Sequence, residues 1–103
     1  MKTYEVVFDP DAQREALEAA DYIAQTSPHN AEKWFAGLQV AVEGLRRMPK
    51  RYGKARESEA LGIDLRQHVY HSHRMIFRVE EDAGTVRVLH IRHAARRAIG
   101  EVD

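Results

Sequence analysis

"RMIFRVEEDAGTVRVLHIRH", residues 74–93, reads as two strand-like runs, 74–80 and 85–93, joined by a hairpin turn at "EDAG". The apolar character of residues 86–91 suits a strand inside a sheet, buried on both faces. Basic residues begin where that strand emerges, so its end is where a target or protein partner is met. A regular strand sends alternate side chains to opposite faces, which puts Arg87, Leu89, Ile91 and His93 on one side and Val88, His90 and Arg92 on the other. His93 and Arg92 then cannot share a cleft unless a bulge intervenes.

Working outward, "IDLRQHVY" (63–70) is a further strand-like run after Gly62. "TYEVVF" (3–8) sets Tyr4, Val6 and Phe8 on one face of a short first strand. Between them lie two helices with the same opening grammar. Asp9 is expected to cap the first helix with its carboxylate, Pro10 fits the first helical position, and Ala16, Leu17, Ala20, Ile23 and Ala24 form a stripe that ends near Gln25. Ser27 and Pro28 open the second helix, in which Trp34, Phe35, Leu38, Ala41, Val42 and Leu45 recur with helical spacing until Pro49. Residues 46–59, with Pro49, Gly53 and six basic side chains, read as an exposed connection without an element of its own. The order βααβββ predicts an α+β fold: a helical hairpin packed on a small, mainly antiparallel sheet that the first strand joins.

The length, 103 residues, suits one domain over 1–103 with a single modest core. With 44% hydrophobic and 31% charged residues the composition is globular, not that of a disordered chain. The absence of cysteine excludes disulfides, thiolate metal sites and thiol nucleophiles. No apolar run is long enough to span a bilayer, and no secretory leader pattern opens the chain, so a cytoplasmic, membrane-independent protein is expected. The zero net charge hides an asymmetry: residues 1–45 hold three Lys/Arg against eight Asp/Glu, and residues 46–103 hold thirteen against eight. That split suits one face to anionic partners without general adhesion to nucleic acid.

The βααβββ order, the arginine that opens "RMIFRVE" and the terminal "VRVLHIRHAAR" resemble the RelE/ParE family of bacterial toxins. His73, Arg74, Phe77, His93, Ala94 and Arg96 occupy the places of the family pattern. The resemblance implies a type II toxin–antitoxin component held silent by a cognate antitoxin. RelE-like members cut messenger RNA in the ribosome, and ParE-like members inhibit DNA gyrase. RelE-like chains carry a tyrosine near the C-terminus, and no tyrosine follows Tyr70. Nucleases that grip ribosomal RNA are strongly basic, whereas this chain is neutral. Both departures favour the ParE-like branch, with neither a cofactor nor direct sequence-specific DNA binding implied.

If the chain cleaved RNA, the reaction would need a base, an acid and a cation to stabilise the phosphoryl oxygens. Arg74 could fork to two phosphate oxygens, or equally hold a neighbouring carboxylate or carbonyl. His93 could be the acid, or fix the end of the last strand. Glu57 or Glu59 could be the base from a loop, with Glu57 preferred. For a binding role, Arg47, Lys50, Arg51, Lys54 and Arg56 around Tyr52, with Arg92, Arg96 and Arg97, form the candidate target- or phosphate-contacting set. His71 with His73, and His90 with His93, lack the helical spacing and carboxylate of zinc motifs, so no metal site is expected. Three functions follow: a gyrase-binding toxin, a ribosome-dependent mRNA endonuclease, or a non-toxic member that only binds its antitoxin. The antitoxin is expected to lay an amphipathic helix or extended strand over apolar surface on the helices and an exposed sheet edge.

Overall fold

The computed structural model describes residues 2–95. Strand β1 (Glu5–Phe8) leads into helices α1 (Pro10–Ala24) and α2 (Pro28–Glu43). A short helix α3 (Glu57–Leu61) precedes strands β2 (Arg66–Tyr70), β3 (His73–Glu80) and β4 (Thr85–His93). The strands form one sheet in the order β1-β4-β3-β2, antiparallel except where β1 lies parallel to β4. The architecture is α+β, as the sequence pattern implies, with the last strand held between the first and the third.

Both long helices begin at proline, whose missing N–H costs nothing there. Their caps differ. Ser27 Oγ accepts the Asn30 N–H at 3.1 Å, whereas Asp9 makes no side-chain cap and turns its carboxylate to Arg87 at 2.9 Å. The expected Asp9 cap is thus replaced by an ion pair between α1's entry and the sheet. The hairpin covers one face of the sheet, where Ala12, Ala16, Trp34, Leu38 and Leu45 meet Met75, Phe77, Val86, Val88 and Ile91. Burial of each large side chain in that layer contributes about 1.5–3 kcal/mol. Close approach of α2 to β2 depends on Gly37: the Tyr70 hydroxyl donates to the Trp34 carbonyl at 2.8 Å, and a Cβ on Gly37 would collide with that hydroxyl.

Three expectations need correction. The connection 46–59 is not bare: it contains a 3-10 turn at Pro49–Arg51 and the start of α3. It also pairs with β2, through Ala55 N–H to the Leu65 carbonyl at 2.8 Å and Gln67 N–H to the Gly53 carbonyl at 3.0 Å. This segment covers the second face of the sheet, burying Ala55, Leu65 and Ile76 with Leu89 against them. Tyr52, which the sequence sets among the basic side chains of an exposed connection, is half-buried between His68 and Phe77.

The third correction concerns the phase of β4. Its register against β3 passes from Ile76↔His90 to Phe77↔Val88, leaving Leu89 as the extra residue of a bulge. Leu89 therefore packs on the α3 side, while Ile91 joins Val86 and Val88 on the hairpin side. A strict period of two would have put Leu89 and Ile91 together. Past Phe8, where β4 outruns β1, Glu15 of α1 takes over the open edge. Its Oε1 accepts the Ile91 N–H at 3.1 Å and lies 3.0 Å from His90 Nδ1.

Candidate functional site

On the hairpin side the ends of β3 and β4 run out from under the helices and leave a groove of about 860 Å³. Its floor is apolar, with Ala19, Ile23, Trp34 and Ile91, and Tyr22 stands 74% exposed at its rim. Glu15 and Glu18 line it from α1, and Asn30 and Lys33 from the start of α2. The far wall is the β2–β3 turn and the strand ends, with His71, His73 and His93. His71 occupies the turn with a left-handed φ of 52°.

Three of the groove's rings, Trp34, His73 and His93, form a ladder that Tyr70 extends beyond it. Tyr70 lies 5.8 Å from Trp34, Trp34 lies 5.3 Å from His73, and His73 lies 5.3 Å from His93, all tilted or edge-on as ring quadrupoles prefer. Burial, and next to it the neighbouring His93, holds His73 below the ordinary imidazole range. His73 Nδ1 is buried without a hydrogen-bond partner among the described residues. His93 is exposed, and its Nδ1 accepts the Ala95 N–H at 3.1 Å. The neutral ring therefore carries its proton on Nε2.

The opposite face holds the other candidates. Arg74 is 5% exposed and Glu57 is fully buried. They meet in a forked pair, Nη1 to Oε1 at 3.0 Å and Nη2 to Oε2 at 2.6 Å, and Gln67 Oε1 accepts a third bond from Arg74 at 2.7 Å. Of the two readings open to Arg74, this geometry has it holding a neighbouring carboxylate. Glu57, expected in an exposed loop, opens α3 beneath the protein surface. The structure thus brings Arg74 and Glu57 together and leaves His93 apart from them, on the other side of the sheet. Arg92 is the cross-strand partner of Arg74 on the α3 side.

Within the basic segment, Arg51 donates to the Arg47 and Gly44 carbonyls and to the Tyr52 hydroxyl, so its fork braces the loop. Lys50 pairs with Glu81 at 3.0 Å. Arg47, Lys54 and Arg56 are exposed. Arg96 and Arg97 lie outside the described residues. Sequence reading missed the groove's α1 and α2 wall. Its signal was present in Tyr22 and Lys33, polar-tipped or charged residues beside the apolar stripes, but nothing in the spacing marks them as part of a site.

The sequence pattern of the ParE toxin of type II toxin–antitoxin systems, parDE, matches residues 6–98. The chain belongs to this toxin family. No curated protein matches it. Among solved structures it is similar to the chromosomal ParDE toxin–antitoxin system from P. aeruginosa, with 20% identity and a TM-score of 0.71, covering 90% of this chain and 98% of that one. It is also similar to the toxin–antitoxin complex RelBE2 from Mycobacterium tuberculosis, with 24% identity and a TM-score of 0.58, over 88% of this chain and 98% of that one. Both likenesses establish the fold. Among the described residues of this ParE-family chain, no helix is long and apolar enough to cross a membrane.

Proposed function

We propose that this chain is a toxin that acts by binding and inhibiting DNA gyrase, that it does not cleave RNA, and that a cognate antitoxin neutralises it. The observation that carries this reading is the sealed Arg74–Glu57 pair. A guanidinium whose fork is spent on a buried carboxylate cannot also clamp a phosphate, and a carboxylate with no exposed surface cannot reach a 2′-hydroxyl. Membership of the ParE family and the neutral net charge point the same way. Exposed Arg47 and Lys54, with Arg56, Arg92, Arg96 and Arg97, supply positive charge for the target contact. The antitoxin reading draws on the fold's likeness to chains from toxin–antitoxin complexes.

The deciding experiment puts the purified chain into a gyrase supercoiling assay and, in parallel, into a ribosome and message mixture. Supercoiling should be blocked in proportion to the protein added, and the message should stay intact. Cut message that disappears in His93→Ala, with supercoiling untouched, overturns the reading in favour of the ribosome-dependent nuclease.

A further inference from the structure

The segment between α2 and α3 presents one side chain against its own conformational preference. Met48 has φ 47° and ψ 51°, the left-handed region that suits glycine or asparagine, and it directly precedes Pro49, whose ring disfavours helical backbone before it. Its side chain is 56% exposed and belongs to neither core. A conformation of this kind persists where the surroundings enforce it, and here they do so on both sides. The Tyr4 N–H donates to the Arg46 carbonyl at 2.7 Å, and Arg47 pairs with Thr3 as an isolated bridge. Arg51 reaches back, Nη1 to the Arg47 carbonyl at 2.9 Å and Nη2 to the Gly44 carbonyl at 3.3 Å, while its own N–H closes the turn on the Met48 carbonyl at 3.0 Å. Pro49 is buried, and Arg66 Nη1 donates to the Lys50 and Tyr52 carbonyls at 3.0 and 2.9 Å. The result is a stiff turn with a thioether at its tip.

We propose that Met48 is the anchor of the surface that meets the toxin's target, entering an apolar pocket on the target protein whose acidic rim is met by Arg47. This deepens the reading of the chain as a toxin that acts by binding, and rests on it. Packing does not account for the turn, since the side chain it displays is unpacked in the chain itself. Methionine and arginine are enriched at protein interfaces, and a backbone already fixed in the presented form removes part of the ordering cost of association. The rim chemistry follows from which cations are uncommitted. Lys50 is paired with Glu81 at 3.0 Å, Arg46 with Glu43 at 3.4 Å, and both Nη of Arg51 end on carbonyls. Arg47 is exposed and has no ion pair among the described residues. One available cation beside an apolar tip matches a pocket with a carboxylate at its edge, whereas a nucleic acid backbone is gripped by several cations at once. No residue from 44 to 52 lines the groove described above, so the turn is a separate surface.

The test uses the full chain in the gyrase supercoiling assay, with growth arrest on expression of the chain alone as a second readout. Met48→Gly deletes the tip and suits the left-handed backbone, so it should melt no lower than the parent while the concentration for half inhibition rises about tenfold or more, as for loss of an interface anchor. Met48→Leu, which keeps the apolar bulk, should retain most of the inhibition. Arg47→Glu should raise the half-inhibition concentration by a similar factor. Binding of a labelled DNA duplex by the chain alone that falls in Met48→Gly overturns the proposal, because the tip would then be a wedge between base pairs. The parent separates the two readings. If it blocks supercoiling and Met48→Gly is equally potent, the anchor is removed and gyrase stays as the target. If it leaves supercoiling intact but arrests growth, arrest lost in Met48→Gly and kept in Met48→Leu removes gyrase and keeps the anchor, and arrest unchanged in Met48→Gly removes both. A parent that does neither removes both.

Discussion

The hairpin side of the sheet leaves its polar side chains around an open groove, whereas the α3 side buries its strongest charges, Arg74 and Glu57, against each other. Both faces carry residue types that suggest chemistry in a linear sequence. What separates them is cover. A five-residue helix and the loop before it seal one face, while the two long helices stop short of the strand ends on the other. Exposure rather than residue identity decides which set can meet another molecule, and a short element that composition does not reveal can bury an arginine and a glutamate beneath the surface.

The largest effect that could break this contrast is on the sealed side. Glu57→Ala should cost about 3–5 kcal/mol in denaturant unfolding, because it strands a buried guanidinium. Adding Arg74→Met should recover much of that loss, since the desolvated charge goes with it. By contrast, Lys33→Ala on the groove side should stay within about 0.5 kcal/mol of the parent. A Glu57→Ala protein as stable as the parent would show that the pair is not a structural element.

Next in size is the hairpin's seat. Gly37→Ala should destabilise by about 1–3 kcal/mol, the usual range for overpacking, because the new methyl collides with the Tyr70 hydroxyl. Gly37→Ala combined with Tyr70→Phe should regain part of the loss; no recovery would mean that the clash is not with that oxygen. Ser27→Ala should cost about 1 kcal/mol through loss of the α2 cap. At Asp9, Ala substitution should act through Arg87 instead, so its effect should vanish in an Arg87→Met background.

The smallest effect is a slope of stability with pH, to which His73 and Glu81 each contribute. His73 titrates in the fold below its ordinary value of 6.5, chiefly through burial. The unfolded chain therefore takes up that proton first, and the contribution of neutral His73 is full above 6.5 and falls as the pH drops through it. Glu81, bonded by Lys50, Lys2 and Tyr4, is held down to about 2 from an ordinary 4.5, so its contribution persists above 4.5 and is lost between there and about 2. Melting temperatures across the acid range should show both steps, with His73→Phe removing the upper and Glu81→Gln the lower. A level profile through the upper window would show that His73 pays no burial penalty.

Much of the fold was legible because its signals are local. Pro10, and Ser27 with Pro28, announce helix starts within a residue or two, the α2 stripe has a full helical period, and "EDAG" falls at the hairpin turn. The missed features depend on distance. Glu57 and Arg74 stand 17 positions apart and look like surface charges until α3 folds over the sheet. Leu89 breaks the period of β4 without any glycine or proline to announce it, and that one extra residue decides which face receives Ile91. Of the groove, the strand-end histidines could be named from sequence, since basic and imidazole side chains crowd the end of β4. Tyr22, Trp34 and Lys33 could not be assigned to it, because only the packing of the hairpin brings the α1 and α2 wall opposite those histidines.

The Glu15 contact has a consequence for solubility. Where β4 extends past β1, a main-chain N–H faces outward with no neighbouring strand among the described residues, the kind of ledge on which a foreign chain can continue a sheet. A helix carboxylate plugs that ledge from within the same molecule, so the protein can display a long central strand without offering it as a template for stacking into fibres.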